Sequence, residues 1–268
     1  SLCVWITLNE ESALDAARSS DADLKKIGPA GPLHGIPIGV KDIFYTENIR
    51  TTACSPIYAD FVPSYDSEAV RLMKDAGAII MGKTVTTEFA CMDPSPTRNP
   101  WDPAHTPGGS SSGSAVGVAA GIFPASLGSQ TGGSVVRPAA YNGVVGLKPT
   151  FGLINTAGVM PVAWSLDTVG FFTRSVEDTM IMLKALSGRH PQATNLSKSH
   201  NLGRLQFAAR RQSSPHIGLL TQFFDQRATS EMRRHVSCVS RKFSNEGAFV
   251  EEVDVSVDFE ALLDAHRV

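Results

Sequence analysis

Two hydrophobic periods alternate along this chain, and together they predict its architecture. Apolar residues recur at helical spacing from Glu10 to Leu24, whereas Ile36 to Val40 is a short continuous apolar run that is typical of a buried strand. The other predicted helices are Asp66 to Ala76, Ser111 to Ala120, Glu177 to Leu186, Arg227 to Phe243 and Val255 to Val268, and the other predicted strands are Ala78 to Met81, Phe123 to Leu127, Ile217 to Leu220 and Phe249 to Val253. This alternation predicts an α/β fold in which helices cover a sheet.

Three segments interrupt the pattern. Residues 94–113 are dense in proline, glycine and serine, and residues 128–133 are dense in glycine and small polar side chains. Such composition is typical of surface linkers, but both segments adjoin predicted helices and place serines close to glycines. The third segment, residues 190–215, is polar and aperiodic, and we predict a surface loop there.

Composition narrows the class of protein. The chain has 268 residues, of which 42% are hydrophobic and 19% charged, and its net charge is −2. This ordinary globular mixture gives no support to nucleic-acid binding. The longest apolar stretch, Ala115 to Leu127, contains glycine and proline and is too short to span a bilayer. No signal peptide is recognisable near Ser1, so we expect one cytoplasmic domain over residues 1–268, without membrane contact.

The four cysteines are widely spaced, at Cys3, Cys54, Cys91 and Cys238. No two of them form a C-x-x-C pair, so we expect neither a zinc site nor a redox motif. We predict scattered buried thiols and no metal. Because the chain starts at Ser1 and its last predicted helix runs to Val268, we expect it to be a fragment.

Gly132 and Gly133 stand directly before Ser134, and this order has chemical meaning. Glycines allow a tight bend and bring N–H groups close to a ligand, and successive N–H groups that point one way form an anion-binding nest. If Val135 to Tyr141 is helical, its N-terminus adds favourable potential for an oxyanion. On this motif alone, an ordinary glycine turn and an oxyanion site are equal alternatives.

The serine-rich loop permits a different assignment. Gly109 to Gly113 fits G-x-S-x-G, the nucleophile elbow of α/β-hydrolases, which would make Ser111 the nucleophile. The elbow needs a strand immediately before it, and the prolines within residues 99–107 exclude a central strand there. We therefore reject the elbow, while a histidine-based triad stays open because the chain has 7 histidines.

Lys41 follows the apolar run Ile36 to Val40, a position where lysine usually faces solvent. At its ordinary pKa of about 10.4, only about one molecule in 2,500 would carry a neutral amine at pH 7. Burial without a carboxylate partner would lower the pKa of Lys41 and make it a usable base. Asp42 should point to the opposite face if the strand continues, which is compatible with a dry Lys41.

Taken together, these segments resemble the amidase signature family. The resemblance rests on Leu33 to Asp42, on the serine-rich loop and on the Gly132-Gly133-Ser134 stretch. Further matching motifs are Gly82-Lys83-Thr84, Glu88-Phe89, Asn99-Pro100-Trp101, Gly143 to Thr150 and Ser165-Leu166-Asp167. The resemblance covers Glu10 to Leu186 well and the rest loosely, with its core in residues 33–170.

The resemblance implies a fold and a catalytic triad. The implied fold is α/β, a large mixed β-sheet covered by helices on both faces, truncated here at the C-terminus. The implied triad consists of Ser134 as nucleophile, Ser110 as proton relay and Lys41 as base. It also implies a cis peptide bond between Gly109 and Ser110, and we expect the Ser110 hydroxyl to lie within hydrogen-bond distance of both Lys41 and Ser134.

The resemblance further implies the groups around the triad. The oxyanion hole would consist of backbone N–H groups, those of Thr131, Gly132, Gly133 and Ser134. Arg137 and Asp167 are expected to support the site structurally, as a close pair, and not to carry protons. No cofactor or metal is implied.

The implied activity is hydrolysis of a carboxylic acid amide to the acid and ammonia or an amine. Its partner would be a small-molecule amide, and a homodimer is an open alternative to a monomer. Two departures from the family are Asn48, where many members have glycine, and Gln130, where many have aspartate. Gln130 points away from one alternative, the A-type component of a tRNA-dependent amidotransferase. The other alternative is an amidase fold that serves as an inactive scaffold.

Overall fold

The computed structural model describes residues 1–91, 94–187 and 214–267. The chain divides into two compact units, Ser1–Leu202 and Gly203–Val268, and each is described here by itself. The surface loop predicted at residues 190–215 lies outside the described residues except at its last two positions. A single domain over residues 1–268 stays a prediction.

A six-stranded mixed sheet organises the first unit. Its strands are β1 (Trp5–Leu8), β2 (Pro37–Lys41), β3 (Ile79–Thr84), β4 (Ala125–Gln130), β5 (Val145–Leu147) and β6 (Thr168–Thr173). Their order in the sheet is β1-β3-β2-β4-β6-β5. β2 is parallel to both neighbours, β3 and β4, and the other pairs are antiparallel. The carboxyl ends of β2 and β4 therefore meet at one edge of the sheet.

Helices of the first unit follow the predicted order closely. They are α1 (Glu10–Lys26), α2 (Glu68–Asp75), α3 (Ser112–Ala119), α4 (Val136–Asn142) and α5 (Val176–Leu186). α5 begins where the Ser175 hydroxyl accepts a hydrogen bond from the Asp178 N–H, which satisfies one of the free donors of the first turn. The segment after Ser134 is helical, as the sequence suggested.

Both faces of the sheet are covered. Phe171 and Phe172 are adjacent in β6, so their side chains point to opposite faces. Phe171 belongs to a buried cluster with Met73 of α2 and Met182 of α5. Phe172 belongs to a second buried cluster with Val116 of α3. The prediction of a mixed sheet with helices on both faces is thereby confirmed.

Three strands were not predicted: β1, β5 and β6. β6 is buried at every position, so its sequence lacks the alternation that marks a half-exposed strand. β5 has only 3 residues, too few for a pattern to appear. β4 also extends further than predicted, because it ends at Gln130 and not at Leu127.

The second unit contains two parallel strands, β7 (His216–Leu219) and β8 (Phe249–Glu252). Its helices are α6 (Gln222–Arg227), α7 (Ser230–Asn245) and α8 (Phe259–Arg267). The single helix predicted from Arg227 to Phe243 is wrong at its start. The Thr229 hydroxyl accepts from the Met232 N–H, so a new helix begins there.

The prediction of buried thiols is only partly right. All four cysteines are free, Cys3 and Cys54 are partly buried, and Cys91 and Cys238 are exposed. Cys238 lies on α7, and no residue of that helix is buried.

Among the described residues, no helix combines the length and the apolar character that crossing a bilayer requires.

Candidate active site

Lys41 lies at the carboxyl end of β2 and is completely buried. Its Nζ is 2.7 Å from the Ser110 Oγ and 2.8 Å from the Ser129 Oγ. Within the described part of the chain, no carboxylate lies within ion-pair distance of this amine. Its partners are two hydroxyl groups, which can either accept a hydrogen bond from the amine or donate one to it.

Burial sets the protonation of Lys41. Desolvation lowers the pKa of Lys41 from 10.5 to about 7, although the charges of Asp167 and Cys54 act in the opposite direction. Near neutral pH, a substantial fraction of the Lys41 amines is therefore unprotonated, whereas an exposed lysine is almost entirely charged. This is the condition that the sequence argument set for a lysine base.

Hydrogen bonds to the backbone carbonyls of Gly109 and Ser110 hold Ser110 in place. The Gly109–Ser110 peptide bond is cis, as the family resemblance implied. The Arg137 guanidinium donates twice to the Gly109 carbonyl, at 3.1 and 2.6 Å. The Ser110 carbonyl accepts from the N–H groups of Thr87 and Ser112, at 3.3 and 2.9 Å. These contacts fix the loop while the Ser110 hydroxyl faces Lys41.

Other serines of this loop bind it to the sheet. The Ser111 hydroxyl donates to the Ser129 carbonyl and accepts from the Ser129 N–H, at 3.2 and 3.3 Å. The Ser114 hydroxyl donates to the Leu127 carbonyl at 2.8 Å. Ser111 is fully buried and serves as an anchor between the loop and β4. This position is unsuited to the exposed nucleophile that the elbow alternative requires.

Ser134 lies in the turn between β4 and α4 and is partly exposed. Its carbonyl accepts from the Ser111 N–H at 3.4 Å, which places the turn beside the serine-rich loop. The expected hydrogen bond between the Ser110 and Ser134 hydroxyls is not present among the described residues. The expectation of a close contact is thus confirmed for Lys41 and wrong for Ser134 in this structure, since the Ser134 hydroxyl has no partner within the described part of the protein.

The turn at residues 131–134 offers free N–H donors. Within the described residues, the N–H groups of Thr131, Gly132, Gly133 and Ser134 donate to no other group of the protein. Four successive free donors are unusual, because most backbone N–H groups are paired. An anion placed beside this turn would find them available.

The predicted pairing of Arg137 with Asp167 is wrong. Arg137 donates to the Gly109 carbonyl, as described above, and Asp167 accepts from the Thr131 hydroxyl at 2.5 Å. Asp167 also accepts from the N–H groups of Val162 and Ala163, at 2.7 and 3.0 Å. Arg137 therefore supports the serine-rich loop through the Gly109 carbonyl. Asp167 supports Thr131 and the chain at Val162 and Ala163.

Two residues of this site were missed from the sequence. Ser129 is the second partner of Lys41, and Gln130 bonds to both sides of the turn at residues 131–134. Both lie in the part of β4 beyond Leu127, where the predicted strand ended. Extending the strand would not have revealed the contact, because the register Val40–Leu127 continues with Gly128 beside Lys41 and turns the Ser129 side chain to the other face. The contact forms only where the two strands end.

The histidine alternative finds no support in the geometry. His105 lies 2.8 Å from the Asp102 carboxylate, but both side chains are largely exposed. No histidine contacts Ser110, Ser111 or Ser134 in the described ranges. The basic group at Ser110 is the buried amine of Lys41.

A second buried lysine lies behind the site. The Lys83 ammonium donates to the Phe44 carbonyl and to the Thr46 and Thr51 hydroxyls, the latter two at 3.1 and 2.8 Å. The Asp42 carboxylate lies 4.0 Å from it. Burial lowers the pKa of Lys83 to about 7, against the opposing charges of Asp42 and Asp66.

Asp42 is oriented by the chain beyond β2. Its Oδ2 accepts from the N–H and hydroxyl of Thr52, at 3.0 and 2.6 Å, and from the Cys54 N–H at 3.3 Å. Burial raises the pKa of Asp42, and the neighbouring Lys83 opposes this rise. Asp42 therefore binds a loop and Lys83, and leaves Lys41 without a carboxylate partner, as expected.

A small cleft is lined in part by Ser129, the second hydrogen-bond partner of Lys41. Its walls include the aliphatic side chains of Ile43, Val159 and Val169, and the Asp167 carboxylate also lines it.

Comparisons with known proteins identify the family of this chain. A model of the family Amidase matches residues 2–264. The A-type component of the glutamyl-tRNA(Gln) amidotransferase from Syntrophomonas wolfei is 40% identical over 257 residues, which cover 94% of this chain and 52% of that protein. The corresponding protein of Persephonella marina is 39% identical over 259 residues, which cover 94% of this chain and 53% of its own. This chain thus spans about half the length of the curated relatives it matches.

Solved structures give the same result. The crystal structure of PAM12A superposes with a TM-score of 0.87 at 35% identity, covering 99% of this chain and 56% of that one. The native peptide amidase from Stenotrophomonas maltophilia superposes with a TM-score of 0.80 at 34% identity, covering 94% of this chain and 54% of its own. The similarity thus extends to three-dimensional structure.

Proposed function

Because this chain belongs to the amidase family, we propose that it carries the catalytic groups for hydrolysis of a carboxylic acid amide to the acid and ammonia or an amine. The contact that carries the proposal is the 2.7 Å hydrogen bond between the Lys41 amine and the Ser110 hydroxyl. It joins a buried amine of lowered pKa to a serine on the loop beside Ser134. An unprotonated amine in this position is a general base.

The reaction begins with proton transfer. The neutral Lys41 amine takes the proton of the Ser110 hydroxyl, and Ser110 takes the proton of Ser134. The Ser134 oxygen then forms a bond to the carbonyl carbon of the amide. Ser134 has to turn toward Ser110 for this step, and catalytic hydrogen bonds commonly tighten only in the substrate complex.

The turn at residues 131–134 stabilises the negative oxygen that forms on the amide carbonyl. Its free N–H groups donate to this oxygen, and such donors are a large source of catalysis. The proton held by Lys41 then passes through Ser110 to the leaving nitrogen as the C–N bond breaks. Water hydrolyses the ester on Ser134, and the same groups carry its proton.

The supporting residues act without carrying protons. Arg137 carries only hydrogen-bond donors and cannot act as a base, and its two hydrogen bonds hold the loop of Ser110. Asp167 holds the Thr131 hydroxyl, and thereby the start of the turn. The Ser129 hydroxyl accepts a hydrogen bond from the amine of Lys41, which leaves the nitrogen lone pair free to point at Ser110.

Labelling with a fluorophosphonate tests the assignment of the nucleophile. The probe should modify Ser134 in the whole protein, and Ser134→Ala should lose both labelling and turnover while its thermal unfolding stays close to that of the unmodified protein. Ser19→Ala, an exposed serine change on α1, is the matched control. Modification of Ser111 in place of Ser134 would instead revive the nucleophile elbow.

A second candidate is the A-type component of a tRNA-dependent amidotransferase, which the identity to that protein of Syntrophomonas wolfei favours. In that case the protein would release ammonia from glutamine within a complex. Ammonia release from glutamine, short aliphatic amides and peptide amides separates the two candidates. A preference for glutamine together with copurifying partner proteins would support the transferase, whereas peptide or aliphatic amides would support an independent amidase. An inactive scaffold would release no ammonia and bind no probe.

A further inference from the structure

Gln130 is the last residue of β4, and its side chain is almost fully buried, at 6% exposure. Its Oε1 accepts from the N–H groups of Val135 and Val136, at 2.8 and 2.9 Å. Its Nε2 donates to the Gly132 carbonyl at 3.2 Å. One side-chain amide therefore binds both the middle and the far end of the turn that contains Ser134.

We propose that Gln130 is a positioning residue that orients the backbone of this turn toward the oxyanion of the reaction. The inference rests on the proposed function and deepens it. Within the described residues, the Gln130 side chain forms no hydrogen bond to the Ser134 hydroxyl. It acts through the peptide groups of the turn.

The rigid peptide plane explains how Gln130 acts. The Gly132 carbonyl and the Gly133 N–H belong to one planar trans peptide group and point in opposite directions. The hydrogen bond from Gln130 holds the Gly132 carbonyl toward β4, so the Gly133 N–H points away from Gln130. Glycines on both sides of this peptide impose little steric barrier to its rotation, so an external hydrogen bond is needed to fix it.

The far end of the turn is fixed in the same manner. The Val135 N–H donates to Gln130, so the Ser134 carbonyl, in the same peptide plane, points the other way. That carbonyl accepts from the Ser111 N–H at 3.4 Å. Gln130 and the serine-rich loop thus hold the two sides of the Ser134–Val135 peptide.

The amide of Gln130 supplies this combination of hydrogen bonds without a charge. A carboxylate can accept from the Val135 and Val136 N–H groups, but it has no proton to donate to the Gly132 carbonyl. It would also repel that carbonyl and favour rotation of the Gly132–Gly133 peptide. A neutral side chain adds no negative charge near the oxygen that becomes negative in the reaction.

The test is Gln130→Glu in the whole protein, with Gln226→Glu, an exposed position on α6, as the matched control. We expect Gln130→Glu to lower kcat by about 10²-fold, the effect of losing one oxyanion donor, with KM changed less than about twofold. The rate of fluorophosphonate modification at Ser134 should fall in parallel, because the phosphoryl oxygen uses the same donors. The Gln226→Glu control should match the unmodified protein in all three measurements.

Gln130→Met provides a second variant of similar volume that adds no charge. It should also lower kcat and the labelling rate, measured per folded molecule from the thermal unfolding curve. The inference is overturned if both variants label Ser134 at the unmodified rate, or if their loss of activity equals their loss of folded protein. Failure of the unmodified protein to label at Ser134 would overturn the proposed function, and the inference with it.

Discussion

Lys41 and Lys83 lie on the neighbouring parallel strands β2 and β3, both are fully buried, and burial lowers the pKa of each to about 7. Their partners differ. Lys41 meets the hydroxyls of Ser110 and Ser129, whereas Lys83 meets a carbonyl, two threonine hydroxyls and, at 4.0 Å, the carboxylate of Asp42.

The register of the sheet explains this difference. Lys41 pairs with Thr84, and Lys83 pairs with Val40. Paired residues on adjacent strands share a face, so the two lysines project from opposite faces. Thr84 contacts Ser114 of α3, which puts Lys41 on the face of the serine-rich loop. Val40 belongs to the buried cluster of Phe171, which puts Lys83 on the other face. Burial raises the unprotonated fraction of both amines near neutral pH. The face of the sheet decides which of the two amines lies beside a serine.

The largest expected effect is the loss of activity on removing the Lys41 amine. Lys41→Ala should lower kcat about as much as Ser134→Ala, on the order of 10⁴-fold or more, because groups that act as one unit are lost together. Lys25→Ala, an exposed lysine change on α1, should leave kcat unchanged. Steady-state kinetics on the whole protein measure this difference. A mild effect of Lys41→Ala together with a severe effect of His105→Ala would contradict the lysine mechanism.

The second effect separates the lysines by stability. At a pH below 7, where Lys83 is protonated, Lys83→Met should lower the free energy of unfolding by about 3–5 kcal/mol, because it leaves the buried Asp42 carboxylate without its cationic neighbour. The double variant with Asp42→Asn should recover part of this loss, whereas Lys41→Met, which strands no carboxylate, should cost less than Lys83→Met. Urea unfolding measures all three. Equal losses for Lys41→Met and Lys83→Met would show that the two environments do not differ as proposed.

The smallest effect concerns pH. Activity requires the unprotonated Lys41 amine, so kcat/KM should fall about tenfold per pH unit below the Lys41 pKa of about 7 and level off above it. Asp167 raises the pKa of Lys41, so Asp167→Asn should shift this limb to lower pH, by less than about one unit. Lys83→Met should leave the limb in place. If Lys83→Met shifted the acid limb of the kcat/KM profile and Asp167→Asn did not, Lys83 and not Lys41 would be the base.

The same pKa values predict a rise in stability with pH. Between about 7 and 10.5, the unfolded chain holds a proton on Lys41 that the folded chain has lost. The unfolded state then binds more protons, so the free energy of unfolding increases as pH rises through this window. Lys83 contributes in the same direction. The stability profile should therefore depend on both lysines, whereas the acid limb of activity depends on Lys41.

Much of the fold and site could be predicted from local sequence. The helices and the strands β2 and β3 follow from hydrophobic period and flanking residues, and the Gly132-Gly133-Ser134 stretch marked the turn. The strands β5 and β6 could not be found, because one is very short and the other is buried at every position. The Arg137–Asp167 pair was predicted wrongly, because opposite charge gives no information on which backbone groups each side chain meets first.

The sequence by itself determined which groups are present: a lysine at the end of an apolar strand, serines in a glycine-rich loop, and a serine after two glycines. Local composition is enough for this, since turn geometry and strand burial depend on nearby residues. Only the tertiary structure decided which groups meet. The carboxyl ends of β2 and β4 lie side by side, and there Lys41 contacts Ser129. The extension of β4 to Gln130 placed its amide across the turn. Contacts between residues distant in sequence depend on register and strand order, which no local pattern encodes.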